Sequence, residues 1–554
     1  MDSANRRRRA SLLGRSLAVV AVGGLLLAAC SSASDSSSSS GSAGTANQAA
    51  PKDEGAPVNG GDLKVGVSAQ IDGLEPASNR WSLDGNLIAS SIFDPLLTFD
   101  ENRNLVPKLA TSVTPNADGT VWTIRLRENV TFHDGSPLTA EVVKNNIDKR
   151  KSNPLSGGAL APVQEVVAVD PTTVEVRMST PWFGYDYTLA AQGGYIEGQA
   201  QLDAGPDATR TAIGTGPFKQ VSGPYSPGQD VQVARFDGYW GDKAHLDSIT
   251  FKGIVDDKAR AQALKAGDVD LIFTQNPDTI AEFRKGNGFV QVEDPAAEES
   301  FAMLNLGQPP FDNIHARRAL AYATDRAQLV ENQGLGVTQE ADGPYTKGEK
   351  YYNEQSGYPA YDLAKAQEEV EKYKQDTGQP SLSFTLDTSE GEQILAQALQ
   401  QQWAAAGIDA KINLTEQTAF LTQMFLGKFQ AAMFRNFAYV NPDSNYIFWH
   451  SSQAKGIGTG SINFGQIKDP ALDRALDTAR ATSDEAARLQ EYKQLTPTLN
   501  EVLPYVWVWH NDWALATKDR VGGLSVPQKL GFARQDAKPW WDRLWLKPSS
   551  GGGS

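Results

Sequence analysis

Residues 310–326 read PFDNIHARRALAYATDR. After Asp312 the apolar positions Leu320, Ala323, Ala327 and Val330 recur at helical spacing, which predicts a helix. Downstream the pattern repeats. After Asp362 a second helical run carries Leu363, Ala366, Val370 and Tyr373, and a third spans residues 393–406 and stops at Gly407, a residue suited to a left-handed cap. Ala410, Ile412 and Leu414 then alternate as in a strand. Upstream the periodicity is two. Leu63, Val65 and Val67 alternate from Gly60 onward, as do Trp122, Ile124 and Leu126, then Val174, Val176 and Met178; Val130 and Phe132 lead into a turn at His133, Asp134 and Gly135. A strand-rich first third followed by alternating helices and strands predicts an α/β protein.

The chain has 554 residues, more than one hydrophobic core accommodates, so two or more domains are expected. Hydrophobic residues make up 40% and charged residues 21%, and no apolar run after the first thirty residues is long enough to span a bilayer. The formal charge is −15, while residues 1–29 hold Arg6, Arg7, Arg8, Arg9 and Arg15, so the remainder is more acidic still. Such a body repels phosphate backbones and gains nothing from counterion release, which argues against nucleic acid as a partner.

Residues 1–29 are built like a secretory signal: an arginine-rich start, an apolar run from Leu17 to Ala29, then small residues. Leu27, Ala28, Ala29 and Cys30 resemble the lipobox of bacterial lipoproteins, which implies cleavage before Cys30 and lipidation of its sulfur. Cys30 is the sole cysteine, so no internal disulfide forms. Two acyl chains suffice for stable anchoring where one does not. Residues 31–59 are Ser, Ala and Gly with almost no large apolar side chain, and are expected to form a flexible tether between Cys30 and the folded body. Residues 549–554 are read as a flexible tail.

Eight short stretches stand in a characteristic order: residues 92–100 (IFDPLLTFD), 107–110 (PKLA), 118–127 (DGTVWTIRLR), 130–140 (VTFHDGSPLTA), 214–218 (GTGPF), 238–241 (GYWG), 263–271 (ALKAGDVDL) and the opening 310–326. In this order they resemble the large solute-binding proteins of ABC importers, the peptide and nickel class known as family 5. The resemblance implies a two-lobed, type II periplasmic-binding-protein-like α/β fold, with an extra domain inserted in lobe I and a hinge of two crossing strands. Mapped here, lobe I comprises residues 60–92, 212–300 and 515–548, the insert 93–211, and lobe II 301–514. The crossings are expected near 300–305 and 510–516. A ligand touching both lobes then favours the closed form, which a permease distinguishes from the empty one.

Other readings of single motifs fare worse. Gly214, Thr215, Gly216 and Pro217 lack the lysine of a phosphate loop and read as a structural turn. The five histidines are scattered without zinc spacing. No GxSxG elbow or spare cysteine nucleophile is present, so an enzyme is not expected and no cofactor is implied. Asp256 and Asp257 read as solvated surface. Residues 432–450 (AMFRNFAYVNPDSNYIFWH) are the informative stretch. In peptide-binding members the matching segment resembles ADYPDPDNF, whose first Asp holds the ligand's ammonium; here Ala438 occupies that place, which weakens the usual peptide reading. Arg435 and Asn436 offer donors to a carboxylate, phosphate or sugar oxygen, or Arg435 serves as a structural ion pair. Asp443 suits a turn as well as a ligand contact. Trp81, Tyr345, Tyr439, Tyr446 and Trp449 are the aromatic candidates near the cleft, whereas Trp507 and Trp509, alternating toward the return crossing, read as structural. The function expected is a monomeric, lipid-anchored receptor that passes a short peptide or related solute to a permease and ATPase. Opine-like or sugar-phosphate conjugates are the alternative ligands, and a ligand sensor coupled to a signalling protein is the alternative class.

Overall fold

The computed structural model describes residues 54–548 apart from Gln70, Asp72, Asn79, Arg80, Leu155, 438–440 and 534–539. One 11-stranded sheet dominates it. On one side Asp62–Val67 pairs in parallel with Ser248–Gly253 and Leu271–Thr274. On the other Leu382–Thr388 pairs in parallel with Ile408–Leu414 and Ala431–Phe437. Between these two parallel groups run two long antiparallel strands, Phe289–Leu304 and Tyr505–Lys518. The first, at 16 residues, extends over roughly 50 Å at strand rise, more than one core needs. Its two ends serve different cores. Val292 packs with Leu63, Phe251 and Trp541, whereas Ala302 and Leu304 pack with Leu320, Leu386 and Trp403. The register with Tyr505–Lys518 slips between Asp294 and Glu298, midway between these cores, as a bulge that bends the strand requires.

A separate four-stranded antiparallel sheet, formed by Ala110–Pro115, Val121–Leu126, Thr173–Met178 and Val163–Asp170, has its own core around Trp122, Ile124, Val174 and Trp182. It is fastened at Asp94, which is fully buried. Lys108 Nζ lies 3.2 Å from Asp94 Oδ1, and Tyr239 OH (3.3 Å), Trp240 Nε1 (3.0 Å) and Thr215 Oγ1 (3.1 Å) donate to the carboxylate. Arg127 stacks on the Trp240 ring at 4.7 Å. Next to this hub the Gly214 N–H donates to His133 Nδ1, and His133 Nε2 lies 3.0 Å from Gly216 O. The ring is therefore the neutral Nε2–H tautomer, and burial pushes its pKa down to about 4. A Cβ at Gly214 would come within 2.0 Å of Ile92 O, so the glycine is needed for close packing and the loop is a structural turn. Six of the eight sequence stretches thus meet at one buried point.

Two local expectations need correction. The helical run after Asp312 is two helices, Ile314–Ala323 and Arg326–Gln333. Asp325 breaks it by accepting from Gln328 N as a new N-cap, while Thr324 Oγ1 accepts from Trp403 Nε1. Asp256 and Asp257 are not idle surface: Asp256 caps the helix Asp257–Ala266, and Asp257 pairs with Arg260 and accepts from Thr274 and Thr279. The helices Leu363–Thr377 and Gln393–Ala405 follow the periodicity, and Gly407 has φ +81°.

Candidate ligand-binding site

Strand Ala431–Phe437 lies beside the long strand Phe289–Leu304 with Ser300 opposite Arg435 and Glu299 opposite Asn436. Opposed residues in an antiparallel pair point to the same face, so Arg435 and Asn436 project to opposite sides of the sheet. On the Arg435 side, Arg435 Nε lies 2.9 Å from Glu392 Oε1 and its terminal nitrogen 3.4 Å from Glu298 Oε2. Trp513 Nε1 donates to Glu298 at 3.3 Å, and Asn511 Nδ2 donates to Ser300 Oγ at 2.7 Å. A third carboxylate, Asp84 at the start of helix Leu83–Ile92, accepts from Ser68 N and Oγ, and its charge acts on both Glu298 and Arg435. Burial raises the pKa of Glu298 and Asp84. It pushes Glu392 up to about 7, with Arg435 pulling it back. The Arg435 side chain retains 31% exposure while Glu298 has 4%. The group thus holds one accessible guanidinium and three acidic side chains in a poorly solvated place, so acids outnumber the base and burial inclines them to hold protons.

Residues 104–458 match the bacterial extracellular solute-binding proteins, family 5. The chain is a family 5 solute-binding protein. As such it is a binding component of an ABC importer and not an enzyme. It is 26% identical over 494 residues to a glutathione-binding protein of Pectobacterium atrosepticum, spanning 86% of this chain and 94% of that one. A glutathione-binding protein of Shigella dysenteriae is 29% identical over 487 residues, with the same shares covered. Among solved structures, the periplasmic binding protein DppA of Helicobacter pylori, in complex with the peptide STSA, superposes with a TM-score of 0.78 at 23% identity, over 89% of this chain and 99% of that one. AgaA of Agrobacterium tumefaciens R10, in complex with agropinic acid, also reaches 0.78 at 23% identity, over 88% and 99%. These superpositions establish the type II binding-protein fold.

The family 5 protein brings only part of the predicted set together. Arg435 stands at the centre of the charged group. Asn436, buried on the opposite face, donates to Asn445 Oδ1 at 3.2 Å. Asp443 is not available to a ligand: its carboxylate accepts from Arg480 Nε (2.6 Å), Arg480 Nη2 (3.2 Å) and Trp182 Nε1 (2.8 Å). Trp449 is 2% exposed and lies within a core of aromatic side chains. Tyr345, also buried, stacks near Tyr351 and borders a polar groove of about 250 Å³ with Arg326, Asp342 and Lys347, apart from Arg435. Trp81 belongs to the first core, with its indole N–H on Gly73 O at 2.9 Å. Packing covers Trp81 and Trp449 and takes them out of the ligand set, while Tyr345 borders the groove. Tyr439 and Ala438 lie outside the described residues, as does Cys30. Sequence reasoning missed Glu298, Glu392 and Asp84. For Glu298 the signal was present, since two adjacent acids immediately before an expected crossing must point to opposite faces. Nothing in the sequence tied Glu392 to Arg435. Among the described residues no helix is long and apolar enough to cross a membrane.

Proposed function

We propose that this protein is the lipid-anchored receptor of an ABC importer, capturing a short peptide or a related amphiphilic solute between lobe II (301–514) and lobe I with its insert (60–300 and 515–548). The observation that carries the ligand class is the charge surplus around Arg435. One guanidinium already held by Glu298 and Glu392, with Asp84 beyond, has little attraction left for a phosphate or a second carboxylate. A ligand that brings an ammonium relieves the surplus instead, and supplies by another route the pairing that Ala438 does not provide. The names of the curated relatives and the bound peptide in the Helicobacter protein support the same class. Sugar-phosphate ligands fit this charge balance poorly.

Native mass spectrometry of the purified protein, followed by a thermal-shift screen of short peptides, opine-like conjugates and acidic sugars, tests the reading. Co-purifying peptide masses and stabilisation by ligands carrying a free ammonium are expected. Stabilisation only by anionic compounds without an ammonium overturns it. Anchoring is tested separately: Cys30→Ser should move the protein from the membrane fraction to the soluble fraction, and retention of the variant on membranes contradicts a lipid attached at that sulfur.

A further inference from the structure

The insert is fixed to lobe I at the Asp94 hub, through Thr215, Tyr239 and Trp240, yet it also touches lobe II through Trp182. Trp182 Nε1 donates to Asp443 Oδ2 at 2.8 Å across 261 residues of sequence. The Arg480 guanidinium, bonded to the same carboxylate, lies 4.5 Å from the Trp182 ring and 3.4 Å from the Tyr446 ring. The Phe183 N–H donates to Arg480 O at 2.8 Å, and Arg103 reaches Glu349 at 3.8 Å. A rotation of the lobes about the long strands separates these partners. We infer that Trp182, docked on the Asp443–Arg480 pair, is a closure latch: a positioning residue that sets how long the lobes stay shut. The inference rests on the two-lobe reading above.

The chemistry suits a latch better than a permanent joint. When Trp182 leaves, Asp443 and Arg480 stay on the same lobe and remain paired, so opening strands no buried charge. What is lost is the indole hydrogen bond to a carboxylate, a cation–π contact, the Phe183–Arg480 backbone bond and the Arg103–Glu349 pair, each small enough to be made and broken reversibly. Asp443 is held in its turn by Asn441, whose Oδ1 accepts from the Asp443 N–H.

The test uses the full chain carrying Cys30→Ser, with spin labels at Val169→Cys and Ile457→Cys, positions 52% and 46% exposed on the insert and on lobe II. Pulsed electron resonance on the ligand-free protein gives the distribution of distances. Two populations are expected, with the open fraction rising about tenfold in Trp182→Phe, the loss of one charge-assisted hydrogen bond, and rising less in Arg103→Ala. Trp182→Phe also shrinks a ring of the insert core and should lower the melting temperature in either case, so the open fraction is the deciding readout: a merely structural Trp182 would leave the ratio alone. Two populations whose ratio moves in neither variant overturn the latch and leave the two-lobe reading standing. A single population in all three chains overturns both.

Discussion

Asp94 and Arg435 are both buried or partly buried charges at the centre of a polar group, and they are resolved in opposite ways. Asp94 is saturated: one ammonium and three neutral donors close around it. Arg435 is outnumbered, with two carboxylates in contact and a third acting from Asp84. A saturated group leaves nothing for a ligand and serves to join segments distant in sequence. A group with more acids than bases is costly in the empty protein and is relieved by protons on its acids or by a ligand of opposite sign. Stability and binding are thus assigned to different charged clusters in one chain.

The largest effect should come from breaking the saturated one. Asp94→Ala leaves Lys108 without its carboxylate and strands the Thr215, Tyr239 and Trp240 donors, so it should cost about 3–5 kcal/mol, read from the shift in denaturant midpoint. A loss under about 1 kcal/mol would mean that the hub is relieved by water and does not fasten the insert.

The two clusters also differ in how plainly they are written in the sequence. Six stretches between residues 92 and 241 could be matched one by one, and the hub is where they meet, because each contributes a turn or strand end whose spacing is fixed locally. The helix Leu363–Thr377 was legible from its 3.6 period alone. The run after Asp312 was misread because Asp325, polar and in register, caps a second helix instead of decorating the first. The binding cluster was half legible. Arg435 stood out beside the altered segment, but Glu298 lies 137 residues away and reaches it only through strand pairing, which no local period encodes. The aromatics erred in the other direction. Trp81 satisfies its indole N–H inside the core, on Gly73 O, and Trp449 is packed among aromatic side chains, so a polar tip was no sign of a ligand.

Removing the cation at the second cluster sharpens the contrast. Arg435→Ala should weaken binding of the ligand found by mass spectrometry more than tenfold, about 1.4 kcal/mol, by isothermal titration. It should cost less stability than Asp94→Ala at pH 6, because Glu298 and Glu392, already inclined to hold protons, take them up when the guanidinium goes. Unchanged affinity would return Arg435 to a structural ion pair.

The smallest effect is the most specific to the surplus. Burial moves Glu392 from its ordinary 4.5 up to about 7, so the folded chain holds a proton that the unfolded chain has released. The resulting stability is complete below pH 4.5 and is lost as the pH rises to about 7, since the unfolded state binds fewer protons throughout that window. Glu392→Gln, which stays neutral, should lack this loss. Its melting temperature relative to the parent should climb steadily between pH 4.5 and 7 and level off above. For the parent, a ligand ammonium arriving near pH 7 should displace the Glu392 proton, making the binding enthalpy depend on the buffer, and Glu392→Gln should abolish that dependence. A pH-independent difference between the two proteins would show that Arg435 alone neutralises Glu392, and that this cluster is as closed as the one at Asp94.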